Sequence, residues 1–75
     1  MIKNLESLTV KLIGNRLLAE ANDLKRTIDS ISKEICVDIS KFENVIDGYA
    51  SFEEAVELAT QFSQNYPVSL GDLII

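Results

Sequence analysis

The sequence predicts an all-α domain of five short helices. Three observations predict it. Leu5, Leu8 and Leu12 run into Ile13, Leu17, Ala21 and Leu24 at steps of three and four residues, the helical period. Ser51-x-x-Glu54 is a capping box ahead of the stripe Ala55, Leu58, Ala59 and Phe62. No alternation of strand length bounded by turns occurs along the chain.

The first helix is expected over about 4–21, with Asn4 as N-cap and Gly14 inside it at some cost in propensity. Thr27 caps a second helix over about 28–35, with Asp29 in its first turn facing the positive end of the dipole. Ile28, Ile31 and Ile35 would form its buried side. Cys36-Val37 makes a tight turn and Asp38 caps a third helix over about 39–47. Phe42, Val45 and Ile46 fill its inner face, and Gly48 ends it as an αL stop. The fourth helix runs over about 52–63. Pro67 then breaks the chain, and Ser69 caps a last turn over about 70–74.

With 75 residues, 47% hydrophobic and 25% charged, the chain predicts a single domain over 1–75. One cysteine and no histidine remove disulfide frameworks, Cys/His metal sites and histidine acid–base chemistry. No apolar run approaches the roughly 20 residues that span a bilayer, so no membrane partner and a cytoplasmic location are expected. The net charge of −5 is unevenly divided. Residues 1–41 hold all seven cations against six acids; residues 42–75 hold six acids and no cation. The common reading of such a half is a solvated acidic face. The sharper one is that it cannot lie on a polyphosphate.

Chemistry-bearing patterns are sparse. Glu53, Glu54 and Glu57 share a helical face, but capping and solubility explain them without acid–base work. Cys36 reads as a buried, inert thiol, and Tyr49 and Tyr66 as covers for the core edge. No phosphate loop, nucleophile arrangement or metal-ligand spacing occurs, so these residues alone predict no enzyme, no cofactor and no metal.

The order of residues resembles the Cro/C1-type (XRE-like, lambda-repressor-like) helix-turn-helix family. Its pattern starts with a glycine and then Arg-Leu two residues on; here Gly14, Arg16 and Leu17. A polar cap and a Leu-Ala pair are matched loosely by Thr27 and Ile31-Ser32, and the Leu-Gly-Val turn by Ile35, Cys36 and Val37. Phe42, Val45 and Gly48 stand five, eight and eleven residues after that valine, as in the family's third helix. Ser51, Ala55, Leu58, Ala59 and Phe62 follow its fourth, and "VSLGDLI" looks like its closing "VSLDELL". The match runs ungapped from Thr27 to Phe62. It departs at Cys36, where glycine is usual, at "QNYP", which lengthens the link after helix four, and in the extra leucine stripe before Gly14.

The resemblance implies a DNA-binding transcriptional regulator acting as a dimer. Its third helix would face bases through Ile39, Ser40, Lys41 and Asn44, with Lys25, Arg26 and Lys33 on phosphates. Yet the loop after helix three and the start of helix four offer only the acids Asp47, Glu53 and Glu54 among their charges. The alternative is a protein-interaction module that does not bind DNA. Leu5, Leu8, Leu12, Ile74 and Ile75 would form its interface, because exposed apolar residues near termini are costly unless packed. That interface is either a homodimer's or the chain's contact with a further domain of a longer protein. For the latter the resemblance offers a setting. Diverged domains of this family precede cupin-domain oxygenases of phosphonate metabolism that resemble hydroxypropylphosphonate epoxidase or methylphosphonate synthase.

Overall fold

A computed structural model describes residues 2–74, with side chains from Glu6 to Ile74. Five helices follow in order: α1 (Ile2–Asp23), α2 (Ile28–Glu34), α3 (Ile39–Asp47), α4 (Phe52–Asn65) and α5 (Leu70–Ile74). No strand occurs among the described residues.

Helix α1 departs from the expected 4–21. Asn4 lies inside it rather than capping it, and the helix continues past Ala21 to Asp23. Its end explains the extension. The Arg26 amide donates to the Ala21 carbonyl and the Lys25 amide to the Asn22 carbonyl, both at 3.0 Å, while Lys25 adopts φ 58°. These are the paired bonds of a Schellman ending, which satisfy carbonyls the helix leaves open. The same ending recurs twice. Val37 donates to Ser32 and Cys36 to Lys33, with Cys36 at φ 60°. Tyr49 donates to Asn44 and Gly48 to Val45, with Gly48 at φ 81°. Only the third uses glycine. Helix α3 therefore ends where a left-handed residue was expected, whereas Lys25 and Cys36 hold that conformation against their own Cβ. Cys36 is also exposed, which corrects the reading of a buried thiol.

Helix starts follow the sequence. The Thr27 hydroxyl accepts from the Ser30 amide, and Ser51 and Glu54 exchange both bonds of the capping box. Asp38 occupies the N-cap of α3 without a side-chain bond.

Helix α1 is the platform on which the others pack. Val10, Ile13, Leu17 and Ala21 are fully enclosed along one side of it, facing Phe42 and Val45 of α3, Ala55, Ala59 and Phe62 of α4 and Leu73 of α5. Ile31 and Ile35 join the same core from α2, as does Ser32 at 2% exposure. Gly14 sets the closest approach. A Cβ there would lie 2.5 Å from the Ile46 Cα and 2.7 Å from the Val45 carbonyl oxygen. Further toward the N-terminus, the Ser7 hydroxyl donates to the Gly48 carbonyl at 2.9 Å and the Phe52 amide to a Glu6 carboxylate oxygen at 3.3 Å. These bonds dock the α3–α4 connection on the same helix.

Two stability predictions follow from this geometry. Gly14→Ala should cost about 2 kcal/mol or more, since backbone rather than a mobile side chain must move. A lowered denaturant midpoint measures it, and Gly71→Ala, with 3.6 Å to its nearest neighbour, should be near neutral. Cys36→Gly should instead stabilise the fold by roughly 0.5–1 kcal/mol, the relieved strain less glycine's extra entropy in the unfolded chain. A melting temperature that falls would contradict the assigned turn.

Candidate functional site

Helix α3 divides cleanly. Phe42 and Val45 are fully buried, while Ser40, Glu43, Asn44 and Asp47 face water and Ile39 is 37% exposed. Residues three and four apart share a helical face, so Ser40, Asn44 and Asp47 form one row with Glu43 beside it. This row borders an open groove of about 530 Å³. Half-buried Leu18 of α1, Ile28 of α2 and Ile46 of α3 supply its apolar lining, and Tyr49 stands at its edge. Tyr49 is 83% exposed, which corrects its expected place over the core; only Tyr66, at 9%, takes that role. The Tyr49 amide donates to the Asn44 carbonyl at 2.8 Å, which sets Tyr49 just past the left-handed end of α3.

The structure brings Ser40 and Asn44 together and sets Ile39 nearby on the same outward half of α3. Lys41 lies elsewhere. It is half-buried, with its ammonium 4.0 Å from a Glu57 carboxylate oxygen of α4, and it does not line the groove.

The three cations expected on phosphate are dispersed. Lys33 lies 3.5 Å from Asp29 one turn back, both well exposed. Arg26 is engaged more fully. Its guanidinium donates to both Glu34 oxygens, at 2.6 and 3.2 Å, and to the Ser30 hydroxyl at 3.0 Å. It also lies 5.7 Å from the centre of the Tyr66 ring. Tyr66 in turn donates its phenol to Glu34 at 2.7 Å and packs against Phe62 with ring centres 4.9 Å apart. This cluster ties α2 to the end of α4. Lys25 is exposed in the turn that precedes α2.

Leu8 and Leu12, 64% and 49% exposed, stand on the side of α1 away from its buried stripe. The helix thus carries apolar residues on two faces, one in the core and one in water. Ile74 is half-buried at the end of α5. The Leu5 side chain and Ile75, expected in the same interface, lie outside the described residues.

The sequence marks the acids of this face, but not the groove they border: Ile28 and Ile46 read as inner-face residues, and Leu18 carries no signal. Glu43 and Asp47 give a detectable signal, because between Asp38 and Asp47 three acids face one cation, Lys41. The contributions of Leu18 and Ile28 come from other helices and leave no local mark. Compared with protein-family models, with curated proteins and with solved structures, the chain matches none.

The Glu34 cluster has a defined pH dependence. The Tyr66 phenol first, and then the Arg26 guanidinium, hold the Glu34 carboxyl below its ordinary value of 4.5. Burial first, and then Glu34, push the Tyr66 phenol up. A carboxylate with a depressed folded value adds stability that is present above its unfolded value and lost as pH falls through the folded one. The stability gap between the parent chain and Glu34→Gln should therefore be open at neutral pH and close progressively below 4.5. Urea midpoints across that range measure it, and Tyr66→Phe should shift the closure to higher pH.

Proposed function

We propose that the chain is a Cro/C1-like helix-turn-helix module that works by docking to protein rather than by reading an operator. Several features support the module. Five helices follow in order, Gly14 lies against α3, a left-handed residue closes the second helix, Phe42 and Val45 anchor the third in the core, and Gly48 ends it. The observation that carries the docking reading is the charge on and around α3. Glu43 and Asp47 stand beside Ser40 and Asn44 on the outward face, while Lys33, Lys41 and Arg26 each lie within 4.0 Å of a carboxylate. A recognition helix enters a groove between two rows of phosphates, and phosphate neutralisation supplies much of its affinity. Here the same entry would place two carboxylates where cations are needed and would require engaged cations to leave their partners.

The exposed Leu8 and Leu12 support docking independently, since they extend an apolar face into water opposite the one that builds the core. A module placed ahead of a cupin-type oxygenase of phosphonate metabolism, where the family resemblance sets such domains, would use these surfaces against its neighbour.

One observation favours the regulator reading. Ser40 and Asn44 stand outward together, and both can hydrogen-bond base edges. The two readings separate in a duplex retardation experiment at low ionic strength. Docking predicts no retarded band at protein concentrations up to about 100 μM, weaker than ordinary non-specific binding. A band that sharpens on particular sequences and disappears with Lys41→Glu would establish the regulator instead.

A further inference from the structure

We infer that the groove beside α3 receives a cationic segment of another polypeptide, one that presents apolar side chains between lysines or arginines. The inference rests on the docking reading and names its partner's chemistry. Three features of the groove point the same way. Its lining is apolar where the helices meet, through Leu18, Ile28 and Ile46, and its volume of about 530 Å³ suits a few side chains rather than a whole domain. Its rim is acidic, and neither Glu43 nor Asp47 has an ion-pair partner among the described residues. Lys41, the one cation of α3, is turned toward Glu57 and leaves the rim's charge uncompensated from its own helix.

Charge complementarity selects the occupant. Residues four apart on one helix have Cβ atoms about 6 Å apart, so Glu43 and Asp47 match the spacing at which lysines recur on a helix laid alongside. Ser40 and Asn44 add neutral donors and acceptors beside them. Tyr49 offers an aromatic face that is 83% exposed, against which an ammonium or guanidinium gains cation–π attraction as it loses water. An acidic peptide or a nucleic acid meets the same rim with repulsion.

The test is a titration of the isotope-labelled chain with a synthetic helix-forming peptide that carries two leucines flanked by four lysines. Amide resonances of Ser40, Asn44 and Tyr49 should move, and the same peptide with glutamates for its lysines should move none of them. Replacing both acids, as Glu43→Gln with Asp47→Asn, should weaken binding roughly fivefold to tenfold, as expected for the loss of two exposed ion pairs. Tyr49→Ala should weaken it as well. Both variants alter exposed side chains, and an unchanged thermal melt shows that the fold is retained. Equal affinity of the double variant and the parent would overturn the inference, as would shifts confined to the neighbourhood of Leu8 and Leu12. Either result leaves docking through another surface intact. A DNA duplex that shifts the α3 resonances would overturn both readings together.

Discussion

The backbone contact between Gly14 and Ile46 fixes the rest of the molecule. A helix pair can approach this closely only where one partner has no side chain. The contact sets how deeply α3 sits on α1, and with it which residues of α3 are enclosed and which remain in water. Phe42 and Val45 go inward because α3 is held at this depth and orientation. Ile46, directly over the glycine, is left half-buried, and Leu18 one turn further along α1 faces the same space. The groove is thus a by-product of seating one helix on another. Its walls belong to the core's architecture, and its chemistry belongs to the residues that happen to rim it.

That separation explains how the inner half of α3 can be fixed by packing while its outer half is free to carry other chemistry. Packing constrains Val45 and Phe42, but nothing in the core constrains Glu43 or Asp47. Three cations of the region, Arg26, Lys33 and Lys41, lie within 4.0 Å of carboxylates of the same fold. Arg26 is drawn into the Glu34 and Tyr66 cluster, where it braces α2 against α4, and Lys41 leans on Glu57. Exposed ion pairs contribute little energy singly. They still orient long side chains, and here they orient them toward the protein.

Much of the fold could be read from the residues, for reasons that are local. Thr27, Ser51 and Glu54 satisfy amides within their own first turns, and Gly48 needs no neighbour to adopt a left-handed angle. The stripes of α3 and α4 follow from a single period. What escaped was set by distant parts of the chain. Asn4 looks like a cap until the helix is seen to begin earlier, and the outward stripe Leu8 and Leu12 has the same period as the inward one. Val10, fully enclosed, was passed over because it sits between those two stripes in sequence. Of the candidate site, Ser40 and Asn44 came from the family resemblance, and the period of α3 accounts for their outward side. The direction of Lys41 depended on Glu57 in another helix, and the groove on three helices at once.

The three left-handed turns also bear on how the chain reaches its structure in time. At Lys25, Cys36 and Gly48 the closing bonds reach back no more than five residues, so each corner can form before the helices it joins have met their partners. Local closures of this kind take microseconds or less, and chains rich in them fold quickly. The contacts that span long stretches of sequence are those between α1 and the later helices, among them Gly14 with Ile46 and Ser7 with Gly48. Those contacts close the longest loops of the chain and so carry the larger entropic cost of bringing its parts together.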